Sequence, residues 1–92
     1  MADQVKRNFK GIAADISEGF VTINPIFLKP FDEKSLKSLY LVLMRAQTEI
    51  RIEPFPYRDM HLIRKRNLRL QRLYTALMVI KTFAREKRFR LF

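Results

Sequence analysis

Proline sets the outline of this chain. It occurs at positions 25, 30, 54 and 56 of 92 and nowhere else. Each proline lacks a backbone donor and has a fixed φ, and the residue before it is pushed out of helical geometry. Two proline-bearing stretches therefore divide the sequence into three segments that can hold longer helices. The second of them, Glu-Pro-Phe-Pro at 53–56, is so short that the helices it joins become antiparallel neighbours.

The first segment, Asp3 to Gly19, places Val5, Phe9, Ile12 and Ile16 at helical spacing. Asp3 suits an N-cap, and Gly19 suits the left-handed position that ends a helix. Gly11 weakens this helix by about 1 kcal/mol relative to alanine. The competing reading is a β-hairpin over 9–24, with Gly-Ile-Ala-Ala-Asp-Ile and Phe-Val-Thr-Ile as strands around Ser-Glu-Gly. Helix is the preferred reading. The stretch Phe-Val-Thr-Ile-Asn-Pro-Ile-Phe-Leu-Lys-Pro-Phe, 20–31, is too apolar for a free linker, and its prolines forbid a regular helix. It is expected to lie extended over the helices or against a partner chain.

The second helix is predicted to start at Asp32, an N-cap with Glu33 in the first turn, and to end by Glu53. Leu36, Leu39, Leu43, Ala46 and Ile50 make one apolar stripe on it. The third helix spans 59–88, capped by Asp59 and roughly 45 Å long at 1.5 Å per residue. Its stripe is Ile63, Leu70, Leu73, Leu77, Ile80 and Ala84, with Arg66 where an aliphatic residue is expected. Residues 74–84 are apolar nearly all round, and Leu68, Val79 and Phe83 lie away from the stripe. Such a helix is usually buried on more than one side, and a three-helix chain of this size has little with which to cover it. The sequence thus predicts one all-α domain over 1–92. Its form is an antiparallel helical bundle of about three helices, built on the hairpin 32–53 and 59–88 and completed by homo-oligomerisation. The alternative is an α+β fold with the N-terminal hairpin.

Charge narrows the function classes. The net charge is +10, and it is uneven. Residues 1–57 hold eight basic and seven acidic side chains; the basic region 58–92 holds eleven basic and two acidic. Excess of this kind points to a polyanionic partner: nucleic acid, an anionic membrane or an acidic protein. Cysteine is absent, which excludes disulfides and thiolate metal sites and fits a cytoplasmic protein. The N-terminus lacks a signal-peptide apolar core, and the most apolar run, Tyr74 to Ile80, is far shorter than the roughly 20 residues a membrane span needs.

Catalytic side chains are few. Serine is sparse, His61 is the single histidine, and no nucleophile–base–orienter set can be assembled, so an enzyme is not expected. Asp15 and Glu18 could share a cation, but a solvated helix end is the better reading. His61 beside Asp59 is half a metal site at most, so neither a metal nor a cofactor is expected. Met44, Met60 and Met78 read as core filler. Tyr40, Tyr57 and Tyr74 could stack bases, yet they are not interleaved with glycines as in single-strand binders, so packing is the better default.

The basic cluster stands above this background. Lys65, Arg69 and Arg72 recur at i, i+4 and i+7, which makes one row on one helix face. Arg64 stands to one side, and Arg66 points towards the apolar stripe. Acids at i±4 that could neutralise the row are missing, and like charges at that spacing cost a few tenths of a kcal/mol per pair. Arginine outnumbers lysine here, which favours phosphate forks. A second group, Lys81, Arg85, Lys87, Arg88 and Arg90, closes the chain.

Two motifs carry a family resemblance. Residues 4–20 are similar to the helix ending Ile-Pro-Ala-Asn-Ile-Ala-Glu-Gly-Phe of the four-helix-bundle proteins encoded in intervening sequences of ribosomal RNA genes. Gln4, Arg7, Ile12, Ala14, Ile16, Glu18, Gly19 and Phe20 carry the match; Ala13 stands for the family's proline and Asp15 for its asparagine. Residues 66–74 resemble a helix of the accessory variability proteins of diversity-generating retroelements, which share that bundle. Asn67, Leu68, Arg69, Leu70, Arg72 and Leu73 carry this second match. The first match makes 59–88 the last bundle helix and the second makes it the third; in both the chain is one helix short. The resemblance implies a helical bundle, self-association and a basic docking role beside a reverse transcriptase, and no catalytic residue.

The expected function is therefore a non-catalytic, sequence-tolerant accessory protein that binds the backbone of RNA or DNA. The alternative is a structural or adaptor protein whose basic face and apolar 20–31 segment meet an acidic protein.

Overall fold

The structure is a computed structural model, and it describes residues 9–91. Among the described residues four helices follow in order: α1 (Phe9–Glu18), α2 (Pro25–Leu28), α3 (Glu33–Ile52) and α4 (Met60–Lys87). No strand occurs among the described residues, so the hairpin alternative at 9–24 is replaced by a helix. The predicted cap Asp3 and the stripe residue Val5 lie outside the described residues.

Each helix end has a local chemical cause. Asp32 accepts hydrogen bonds from the Ser35 backbone N–H at 2.8 Å and the Ser35 hydroxyl at 2.7 Å, which caps α3. The hydroxyl bond first, and the backbone bond second, hold the Asp32 carboxyl below its ordinary pKa. Asp59 accepts from the Leu62 N–H at 3.1 Å and starts α4. α1 ends at Gly19, whose φ of 87° is the left-handed conformation that glycine adopts without a Cβ clash. The Phe20 N–H then reaches back to the Asp15 carbonyl at 2.8 Å.

The segment 20–31 differs from its expected extended form. Asn24 accepts from the Phe27 N–H at 2.9 Å, and Pro25 occupies the first position of a four-residue helix. Proline at that position loses a donor that would have had no partner there anyway, so it starts a helix as readily as it breaks one. Ile23, Leu28 and Phe31 are buried against the longer helices, and the Phe31 ring lies 6.0 Å from Phe9 of α1. Phe20 and Ile26 point to solvent.

α3 and α4 run antiparallel. Contacts at both ends fix their register: Arg69 meets Glu53 beside the turn, and the Arg90 N–H donates to Glu33 at 3.2 Å at the far end. The core lies between α1, α3 and α4. It is built from Leu36, Leu39 and Leu43 on α3, Leu73 and Ile80 on α4, and Ile16 on α1. No helix among the described residues is long and apolar enough to cross a membrane.

The buried face of α4 is turned relative to the predicted stripe. Ala76 and Phe83, both outside that stripe, are buried, whereas Ile63 and Leu70 are only half-buried. At about 100° per residue this is a rotation of roughly half a residue step towards the side that bears Arg69. Docking α1 causes it, because α4 must cover two helices and not α3 alone.

Candidate nucleic-acid interface

The rotation decides what the basic side chains can do. Arg69 and Arg72, expected as an open row with Lys65, lie on the flank of α4 that faces its neighbours. Arg69 donates from both terminal nitrogens to Glu53, at 3.3 and 3.4 Å, and its side chain is 23% exposed. The missing i±4 acid is thus supplied by Glu53, the residue that caps the preceding helix. Arg72 is half-buried and donates to the Ser17 carbonyl at 3.0 Å. A cation at the carbonyl end of α1 is favoured by the helix dipole. A Cβ on Gly19 would lie 3.0 Å from the Arg72 guanidinium carbon, so the small residue is what lets this arginine approach. Of the row, Lys65 alone is exposed.

Arg66 occupies the stripe, as its spacing predicts. Its guanidinium lies 5.0 Å from the centre of the Phe55 ring. The Nε atoms of Arg66 and Arg69 are buried without a hydrogen-bond partner, so both heads are held by packing as well as by charge. With Lys65, they line a notch of about 210 Å³ floored by Pro54, Pro56 and Leu62.

The remaining predicted cations, Arg64, Lys81, Arg85, Lys87, Arg88 and Arg90, are all exposed. Lys87 also sits 5.7 Å over the Phe83 ring. The Glu33–Arg90 contact brings the last three of them to the start of α3, where Lys34 and Lys37 are exposed too. Neither motif reading nor periodicity singled out those two lysines; the antiparallel register of the hairpin is what adds them. Of the acids at this end, Asp32 and Glu33 accept hydrogen bonds from Ser35 and from the Arg90 N–H, and Glu86, between Arg85 and Lys87, is exposed. Arg69–Glu53 is the one ion pair formed among the described residues.

Other expectations are corrected by exposure. Tyr40 is packed, but Tyr57 and Tyr74 stand in solvent. Met44, Met60 and Met78 are exposed and do not fill the core. Asp15 and Glu18 stay at the surface end of α1, and no group of three or more metal-capable His, Cys, Asp or Glu side chains gathers among the described residues. A cleft of about 400 Å³ between α4 and residues 19–23 holds Arg72 with Gln71, Thr22 and Thr75.

Fold and surface together define a class, a small all-helical chain with a strongly basic exterior. No protein-family model matches it, and no match emerges among curated proteins or solved structures.

Proposed function

We propose that the protein is a non-catalytic accessory protein that holds the phosphate backbone of RNA or DNA without reading sequence. One observation carries this reading: the α3–α4 hairpin gathers Lys34, Lys37, Lys87, Arg88 and Arg90 at one end, all exposed, where they outnumber the acids Asp32, Glu33 and Glu86. Exposed cations of this kind contact phosphates and release counterions, which gives affinity without base selection. Arg64, Lys65, Lys81 and Arg85 extend the surface along α4, whereas Arg66, Arg69 and Arg72 shape and stabilise it.

The proposed assembly is a helical bundle completed by a second copy of the chain. In support, Leu68, Tyr74 and Met78 share the outward side of α4 and are exposed. A role beside a reverse transcriptase rests on the two motifs alone; of the first, residues 9–18 are helical in α1, and the second lies within α4. The test is a titration of mixed-sequence RNA and DNA by fluorescence anisotropy at several salt concentrations, with mass in solution measured alongside. The expected result is micromolar or tighter binding at low salt that weakens steeply as salt rises. Absent or salt-independent binding would sink the reading. A pull-down of acidic protein that survives nuclease would favour the adaptor alternative.

A further inference from the structure

The turn between α3 and α4 carries an aromatic pair that the core does not use. Tyr57 is 82% exposed and Phe55 39%. Their ring centres lie 4.9 Å apart at 49°, and the Arg66 guanidinium covers Phe55 from the α4 side. Pro54 and Pro56 restrict the backbone, and the Tyr57 N–H closes onto the Phe55 carbonyl at 3.0 Å. The ladder Arg66–Phe55–Tyr57 is therefore built in advance and ends in an open ring. Arg58 follows Tyr57 directly and Lys65 lines the notch with Pro54 and Pro56; both are exposed. The two acids of the turn are occupied, Glu53 by Arg69 and Asp59 by the Leu62 N–H.

Resting on the phosphate-binding reading above, we propose that this turn is a stacking platform for unpaired bases, so that the preferred ligand class is a single-stranded nucleic acid. Tyr57 supplies the outer face for a base, while Arg58 and Lys65 meet the flanking phosphates. A duplex would satisfy the cations but keep its bases stacked on one another, leaving the Tyr57 ring in water. An acidic peptide would likewise leave that ring without a flat partner. A single strand offers anion and π-face together, and stacking of this kind is sequence-tolerant. Burial in an anionic membrane is disfavoured because Glu53 and Asp59 would lose water at the base of the turn.

The test compares three labelled ligands of equal length at one salt concentration: a single-stranded oligonucleotide, the same backbone without bases, and a duplex. Tyr57→Ala is expected to weaken single-strand binding about tenfold. It should leave abasic and duplex binding and the salt slope unchanged. Tyr57→Phe should retain most of the affinity. Equal binding of all three ligands, unaffected by Tyr57→Ala, overturns the platform and leaves the phosphate reading standing. Binding to none of them overturns the phosphate reading itself. Loss of binding to phosphatidylserine vesicles in Tyr57→Ala, with oligonucleotide binding intact, overturns the platform in favour of a membrane surface.

Discussion

Arg88 has a φ of 60°, the one positive φ at a non-glycine among the described residues. Its N–H bonds the Ala84 and Arg85 carbonyls, and the Phe89 N–H reaches Ala84 at 2.8 Å, so the end of α4 is closed by a left-handed cap. A side chain in that conformation costs roughly 1 kcal/mol that glycine would not incur. Arg88→Gly should therefore raise stability in urea denaturation by about that amount while removing one surface cation. Arg72 behaves in the opposite way. Losing its hydrogen bond to Ser17 should lower stability by about 1–2 kcal/mol in Arg72→Gln, whereas Lys65→Gln, at an exposed site, should stay within about 0.5 kcal/mol of the parent. If both substitutions prove equally neutral, Arg72 is not the latch on α1 that its geometry indicates.

At the scale of the element, α3 was the most legible part of the sequence. Its cap, its stripe and its end at Glu53 all follow from Asp32, the leucine spacing and Pro54. The cap also sets a pH response. The Asp32 carboxyl titrates lower in the folded chain than its unfolded value of about 3.9. A depressed folded value means that the contribution to stability is complete above that pH and is lost as pH falls through the folded one. Asp32→Asn should thus flatten the fall in melting temperature below about pH 4, measured by circular dichroism; an unchanged acid limb would refute this. α4 was legible in extent but not in orientation. Helical periodicity identifies a stripe, but it does not say how many neighbours the helix must cover. Ala76 and Phe83 are buried because α1 packs there, and that docking also withdraws Arg69 and Arg72. α2 was missed because Pro25 was read as a breaker, although Asn24 immediately before it is a good N-cap. The turn itself was legible from Pro54, Pro56 and Asp59, but its open aromatic face was not: packing is the default for a tyrosine, and only tertiary contacts decide that Tyr40 packs while Tyr57 stands in solvent.

At the scale of the molecule, the described chain measures 44 × 24 × 21 Å, and the α3–α4 hairpin carries cations at both ends. Five of them, Lys34, Lys37, Lys87, Arg88 and Arg90, share one end, while Arg58 and Lys65 flank the turn at the other. The central claim is that exposed cations of this kind meet phosphate, and that Arg69 and Arg72 serve the fold. The most direct test is the salt dependence of DNA binding in two variants. One replaces Lys37, Lys87, Arg88 and Arg90 by glutamine; the other replaces Arg69 and Arg72. The first should keep its helicity and lose about 0.9 in the slope of log affinity against log salt for each phosphate contact removed. The second should keep the parent slope and melt earlier. A parent-like slope in the first variant, with the slope lost in the second while it remains folded, would contradict the account.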